Sequence, residues 1–116
     1  MKYLCMVFFD EEKLSALSSA ELKTLDDESL AYDEALRKRG HFVAAEALES
    51  VSAATVVRVR NGKVMVTDGP FAETKEQIGG FILIEAGELD EAIQLASRIP
   101  VIRLGGIEVR PIKDLT

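Results

Sequence analysis

Runs of apolar residues divide this chain into strands and helices before any other property is considered. Tyr3 to Phe9 is a continuous apolar and aromatic run, too short for an ordinary helix and rich in strand formers, and predicts a buried central strand that stops at Asp10-Glu11-Glu12. Ser18 followed by Glu21 has the spacing of a capping box. From there to Arg39 there is no Gly or Pro, and Leu22, Leu25, Tyr32, Ala35 and Leu36 fall near one helical face until Gly40 ends the helix. The cluster Asp26-Asp27-Glu28-Ser29 can equally cap a second helix start, so residues 18–39 read as one helix or as a short helix turning into a longer one. His41 to Leu48 predicts the next strand, followed by a connector of small residues from Glu49 to Ala54.

The clearest local signal is TVVRVRNGKVMVTDG. Asn61-Gly62 lies between two alternating runs and is the preferred pair for a two-residue type I′ hairpin, whose central residues both need positive φ. That turn sets Arg60 opposite Lys63, Val59 opposite Val64, Arg58 opposite Met65 and Val57 opposite Val66. The four valines then share one face, expected to be core, and Arg58, Arg60, Lys63, Met65 and Thr67 share a basic one. Ile78 to Ala86 predicts a second strongly apolar strand, whose Gly79-Gly80 start permits a bulge or a close approach of another backbone or ligand. Leu89, Ala92, Ile93, Ala96 and Ile99 are spaced as one face of a helix over 88–99 that Pro100 stops. A Gly105-Gly106 turn leads into an alternating strand over 107–112, with Pro111 marking an edge or an end.

The order β-α-β, hairpin, β-α-β in one chain predicts an α+β domain over residues 1–116. The expected arrangement is the ferredoxin-like split βαβ, an antiparallel sheet with both helices on one face, here with an inserted β-hairpin. Strands 3–9 and 78–86 are apolar on both sides, so the other sheet face needs cover; a homodimer packed sheet on sheet supplies it.

Composition narrows the function classes. The 116 residues carry 14 Lys+Arg against 20 Asp+Glu, a net charge of −6 that disfavours direct nucleic-acid and anionic-membrane partners. One Cys and one His cannot make a disulfide or a four-ligand zinc site, and no phosphate-loop, dinucleotide or metal motif is present, so no cofactor is expected. The N-terminal apolar run is too short for a signal or membrane segment, and a cytoplasmic protein is expected. Cys5 in an apolar strand reads as a buried, unreactive thiol.

Candidate chemistry collects in Thr67 to Phe81. Asp68-Gly69-Pro70 has a ready explanation as a turn, but the adjoining Glu73, Lys75 and Glu76 are not required by one. With Asp68 and Glu73 in reach of each other, one carboxylate can serve as a base while Lys75 holds an anionic substrate. His41, as an imidazole, is a candidate proton shuttle, or simply satisfies the helix C-terminus. Arg58, with Arg60 and Lys63, can bind an anion, or the bases can guard an edge hairpin against aggregation. Gly69, Pro70, Phe71, Glu76 and Arg58 complete the candidate ligand-binding set around the catalytic candidates Asp68, Glu73, Lys75 and His41.

The string Asp68-Gly69-Pro70-Phe71-Ala72-Glu73-Thr74-Lys75-Glu76 resembles the signature of the DGPF-type branch of the YCII-related family. KYLCMVF, Gly40, TVVRVRNGK, GGFILIEAGELDEAIQLASRIP and IEVRPI are similar to that family in the expected order over nearly the whole chain. The resemblance implies a dimeric α+β barrel of ferredoxin-like subunits and a biochemical role that is largely unassigned. Some relatives are linked with extracytoplasmic-function sigma factors, and related YCII-type proteins with small-molecule enzyme chemistry. The latter use a His on the first helix with an Asp near its end; aligned from Gly40, those positions hold Ser29 and Lys38, so the pair is absent, and His41 is no replacement for it. Two functions follow. One is a small cytoplasmic homodimer binding a small polar or anionic molecule in a cleft between sheet and helices near the DGPFAETKE loop, with cofactor-free acid/base chemistry as an extension. The alternative is a noncatalytic regulatory or protein-interaction module linked to a sigma-factor transcription pathway.

Overall fold

The computed structural model describes all 116 residues. A four-stranded antiparallel sheet is ordered β2-β5-β1-β6, from β1 (Lys2–Phe9), β2 (Phe42–Ala47), β5 (Gln77–Glu85) and β6 (Gly105–Pro111). Helix α2 (Ser19–Lys38) carries the chain from β1 to β2, and α3 (Leu89–Ala96) carries it from β5 to β6. Within each of these units the two strands are parallel and are separated by a strand of the other unit. Strands β3 (Thr55–Arg60) and β4 (Lys63–Asp68) form a separate two-stranded sheet. A further short helix, α1 (Glu11–Ser15), follows β1 and is capped by the Asp10 carboxylate, which accepts from the Glu12 amide at 3.0 Å.

Local chemistry explains the element ends. The Ser18–Glu21 capping box is complete: the Glu21 amide donates to Ser18 Oγ at 3.1 Å and the Ser18 amide to Glu21 Oε1 at 3.0 Å. Residues 19–38 form one helix, so Asp26-Asp27-Glu28-Ser29 caps no second start; Lys23 pairs with Asp27 one turn on, and Arg103 with Glu28. Gly40, at φ +78°, ends α2 in a Schellman arrangement in which the His41 amide reaches the Leu36 carbonyl and the Gly40 amide that of Arg37. Asn61 and Gly62 both have positive φ, and the hairpin register places Arg60, Val59, Arg58 and Val57 opposite Lys63, Val64, Met65 and Val66, as the turn requires.

Period-two alternation sends Tyr3, Cys5, Val7 and Phe9 of β1 and Ile82 and Ile84 of β5 to one sheet face. There they form a single buried core with Leu36 of α2 and Ala92, Leu95 and Ala96 of α3. The Tyr32 hydroxyl ties the two helices by donating to the Leu95 carbonyl at 2.6 Å. Gly79 is the extra residue of a bulge, where Val7 opposes Gly80 and Phe8 opposes Ile78. A Cβ on it would stand 2.2 Å from the Phe9 ring, so only glycine lets that ring lie against the strand.

The other sheet face carries Leu4–Leu83, Met6–Phe81 and Phe8–Ile78 as cross-strand pairs, all half-buried, with no helix over them. Two expectations are corrected. Gly105-Gly106 is not a turn but the start of β6, opposite Phe9 and Phe8. The valine face of the hairpin is not core: Val57, Val59, Val64 and Val66 are 62–69% exposed, because β3–β4 extends away from the helices and sheet instead of folding onto them. The molecule is accordingly flat, 47 × 45 × 19 Å. No helix is long and apolar enough to cross a membrane.

Candidate functional site

Helix α2 is long but buries only Leu25 and Leu36, so much of it stands off the sheet. The gap is a cleft of about 570 Å³ between α2 and strands β2, β5 and β1 of the sheet. Its floor is apolar: Val7 and Phe9 of β1, Ile82 of β5 and Ala45 of β2, with Gly79 and Gly80 exposing backbone beside them. Its α2 wall presents Leu22, Leu25, Asp26, Ser29, Leu30 and Asp33, each three residues from one member of the set and four from another, so that they lie along one side of a helix. Leu30 at the rim is 68% exposed.

The polar lining is one-sided in charge. Asp26 and Asp33 from α2 line the cleft, and no Lys, Arg or His does; Glu46 of β2, opposite Phe81, turns its side chain to the other sheet face. Burial pushes the Asp33 carboxyl above its ordinary range, an effect that Arg37 one turn on partly opposes. That guanidinium is engaged elsewhere, paired with Glu34 and lying 4.4 Å from the centre of the Phe42 ring. Neither Asp26 nor Asp33 has an ion-pair partner. Ser29 Oγ donates to the Leu25 carbonyl at 2.8 Å, which uses its proton and leaves its oxygen as an acceptor. The walls therefore supply apolar contact and hydrogen-bond acceptors, a combination suited to an apolar body that carries a donor group.

The residues singled out from sequence lie elsewhere. Asp68 closes the hairpin opposite Thr55, and Gly69 follows with its amide donating to the Ala54 carbonyl at 2.8 Å. A Cβ on Gly69 would stand 2.6 Å from that of Ala54, so the close crossing of the two segments needs glycine. Gly69-Pro70 is a cis peptide. Phe71 is exposed beneath Arg58, whose guanidinium lies 4.5 Å from the ring centre. Glu73, Lys75 and Glu76 are all exposed and make no ion pair, and Asp68 and Glu73 share no hydrogen bond. The segment is knitted by its uncharged groups: Gln77 Nε2 donates to the carbonyls of Ala72 at 2.8 Å and Thr74 at 3.1 Å, and Thr74 Oγ1 to that of Glu76 at 2.7 Å.

His41 is separated from that loop by the length of β5. Its Nδ1 lies 2.9 Å from the Glu85 carbonyl at one end of the strand, while the loop enters at Gln77 at the other, about 25 Å away at the rise of an extended chain. A carbonyl only accepts, so Nδ1 carries the proton in that contact. Asp68, Gly69, Pro70, Phe71, Glu73, Lys75, Glu76, Arg58 and His41 are all absent from the cleft lining. Cys5 is fully buried in the core, and burial pushes its thiol up to about 11. The cleft residues Asp26, Ser29 and Asp33 had a sequence signal of their own, polar side chains at helical spacing among the apolar positions of α2.

Residues 1–116 match the YCII-related domain, and the chain belongs to that family. An uncharacterized protein of Rhizobium meliloti (strain 1021) is 35% identical to it over 114 residues, which are 97% of this chain and 92% of the other.

Proposed function

We propose that this YCII-related protein, of the DGPF-type branch by its Asp68–Glu76 string, is a homodimer that binds a small neutral or cationic amphipathic molecule in the α2 cleft of each copy. The observation that carries the ligand class is the lining: an apolar floor and wall with the two carboxylates of Asp26 and Asp33 and no base. An anion placed there meets like charge in a partly desolvated site, whereas an ammonium or a hydroxyl donor finds Asp33, Asp26 and the Ser29 oxygen along one wall. This moves the expected ligand away from the anion anticipated near Lys75. Any proton transfer on that ligand we assign to Asp33, whose carboxyl holds its proton to higher pH than an ordinary Asp.

The strand order β2-β5-β1-β6 and the bare apolar sheet face support ferredoxin-like units paired sheet on sheet into an α+β barrel. Leu4, Met6, Phe8, Ile78, Phe81 and Leu83 supply that face, and the unpaired, buried Cys5 fits a reducing, cytoplasmic setting.

A thermal-shift screen with amines, alcohols and carboxylates of matched apolar size tests the ligand class. It is run on the wild type, on Asp33→Asn and on the double variant Glu73→Ala, Lys75→Ala. Ligand at 100 times its Kd adds about 2.7 kcal/mol to stability. The expected result is stabilisation by amines or alcohols, amine affinity falling about tenfold in Asp33→Asn, a change of about 1.4 kcal/mol, and unchanged in the loop variant. Carboxylate hits lost in the loop variant would instead put the site at Lys75, and a screen without hits would overturn ligand binding.

A further inference from the structure

We infer that the basic face of the β3–β4 hairpin docks an acidic, extended segment of a partner protein. Residues Thr55 to Thr67 hold three bases, Arg58, Arg60 and Lys63, and no acid, so the hairpin carries +3 and leaves −9 to the rest of a chain whose net charge is −6. The pairing register puts all three bases on one face, with Val57, Val59, Val64 and Val66 on the other. Arg60 stands directly opposite Lys63, a like-charge pair that destabilises a two-stranded sheet already marginal by itself. No carboxylate of the chain relieves it. All three bases are exposed and lie outside the five ion pairs, and Glu73 and Glu76 of the neighbouring loop pair with none of them. Charges that guard a sheet against aggregation belong among its apolar side chains, and the four valines have none among them.

One of the three bases is already oriented. The Arg58 guanidinium lies 4.5 Å from the centre of the Phe71 ring, and stacking occupies the face of the group while its N–H edges stay free for a carboxylate. The loop that carries the ring is tied at both ends: the Gly69 amide donates to the Ala54 carbonyl, and Gln77 Nε2 to those of Ala72 and Thr74. Such preorganisation lowers the ordering cost of binding. Phe71 is 72% exposed, and the exposed Met65 lies opposite Arg58, so apolar contact flanks the charges. Arg58 and Arg60 are two residues apart on one strand, about 7 Å, which is the repeat of alternate side chains in another extended chain. Acidic side chains at that spacing meet both arginines, with Lys63 beside the second. A long nucleic-acid strand fits worse, because beyond the three bases it runs onto the acidic remainder of the molecule.

Fluorescence anisotropy with a labelled peptide of alternating Glu and Thr, titrated with the full chain at low ionic strength, tests this. A single-stranded oligonucleotide of equal charge is titrated alongside. The expected result is that the peptide binds, more tightly than the oligonucleotide, and that added salt weakens it. Arg58→Gln and Arg60→Glu each lower peptide affinity at least about tenfold, and Val59→Thr, Val64→Thr on the opposite face leaves it unchanged. Arg60→Glu also turns the opposed like charges into an ion pair, so β3–β4 amides exchange more slowly in that variant while binding falls, a combination that a purely structural base does not give. Should Arg60→Glu fail to fold, the uncharged variant Arg60→Gln, Lys63→Gln is read in its place. A wild type that binds no peptide, or affinity untouched by both arginine variants, overturns the docking face. Tighter binding of the oligonucleotide overturns the protein partner, and binding lost in the valine variant with the hairpin still protected overturns the choice of face.

Discussion

Strands β1 and β3 are both dense in β-branched and aromatic or aliphatic residues, and both alternate sides, yet their fates are opposite. Tyr3, Cys5, Val7 and Phe9 of β1 are buried, whereas Val57 and Val59 of β3 are 62% and 65% exposed. The difference lies in neighbours. Strand β1 has β5 and β6 on its two edges and α2 and α3 across one face, while β3 has β4 alone. An apolar face is thus a demand for cover, and whether the same chain meets that demand is a property of topology.

Substitutions on the two sides of this comparison separate by size. Leu36→Ala, at a site 1% exposed beneath α2, removes contacts with the buried sheet face and is expected to lower stability by about 2–5 kcal/mol in urea melts, at any protein concentration. Gly79→Ala drives a methyl group into the Phe9 ring at the β1–β5 bulge and is expected to cost about 1–3 kcal/mol, with the loss seen across the four-stranded sheet. Gly62→Ala meets no neighbour but forces φ +76° on a residue with a side chain. An expected loss of about 1 kcal/mol should appear as faster amide exchange in β3–β4, with β1 and β5 unchanged; equal loosening of both sheets would break the division between them.

The smallest effect concerns the cleft. Because burial raises the Asp33 carboxyl above the ordinary 3.8, the folded chain binds its proton more tightly than the unfolded chain. That contribution to stability is fully present below the ordinary value and is lost as pH rises through the raised one, leaving an ionised Asp33 a liability at neutral pH. Asp33→Asn is therefore expected to raise the melting temperature slightly at pH 7 and to lose that advantage below about pH 4. An advantage that grows on acidification would reverse the assignment.

Much of the fold was legible residue by residue. Ser18 with Glu21, Asn61 with Gly62, and the Gly79 bulge are local devices whose partners lie within a few positions or on the adjacent strand, and each forms as its spacing demands. The short α1 was not foreseen although Asp10 offers its cap, since five residues carry too little periodicity to register. Glycines 105 and 106 read as a turn, but Gly105 pairs with Phe9 in the sheet, and it is glycine because a Cβ there would stand 1.9 Å from the Phe8 carbonyl oxygen, a contact only the sheet reveals.

The candidate site was less legible. Charged residues crowded in Glu73–Glu76 drew attention as chemistry, but exposed charges need no partner. The cleft instead joins Asp33 of α2 to Gly80 of β5, residues far apart in the chain.

By itself the sequence determined the long elements other than the start of β6, the hairpin register and the demand for a covered sheet, because hydrophobic period, caps and turn residues act through contacts of short range. Only the tertiary structure decided that α2 stands off the sheet above an acid-lined cleft, that His41 and the DGPF loop lie at opposite ends of β5, and that four valines remain uncovered. Those outcomes depend on which distant surfaces the chain brings together, and no local pattern encodes that.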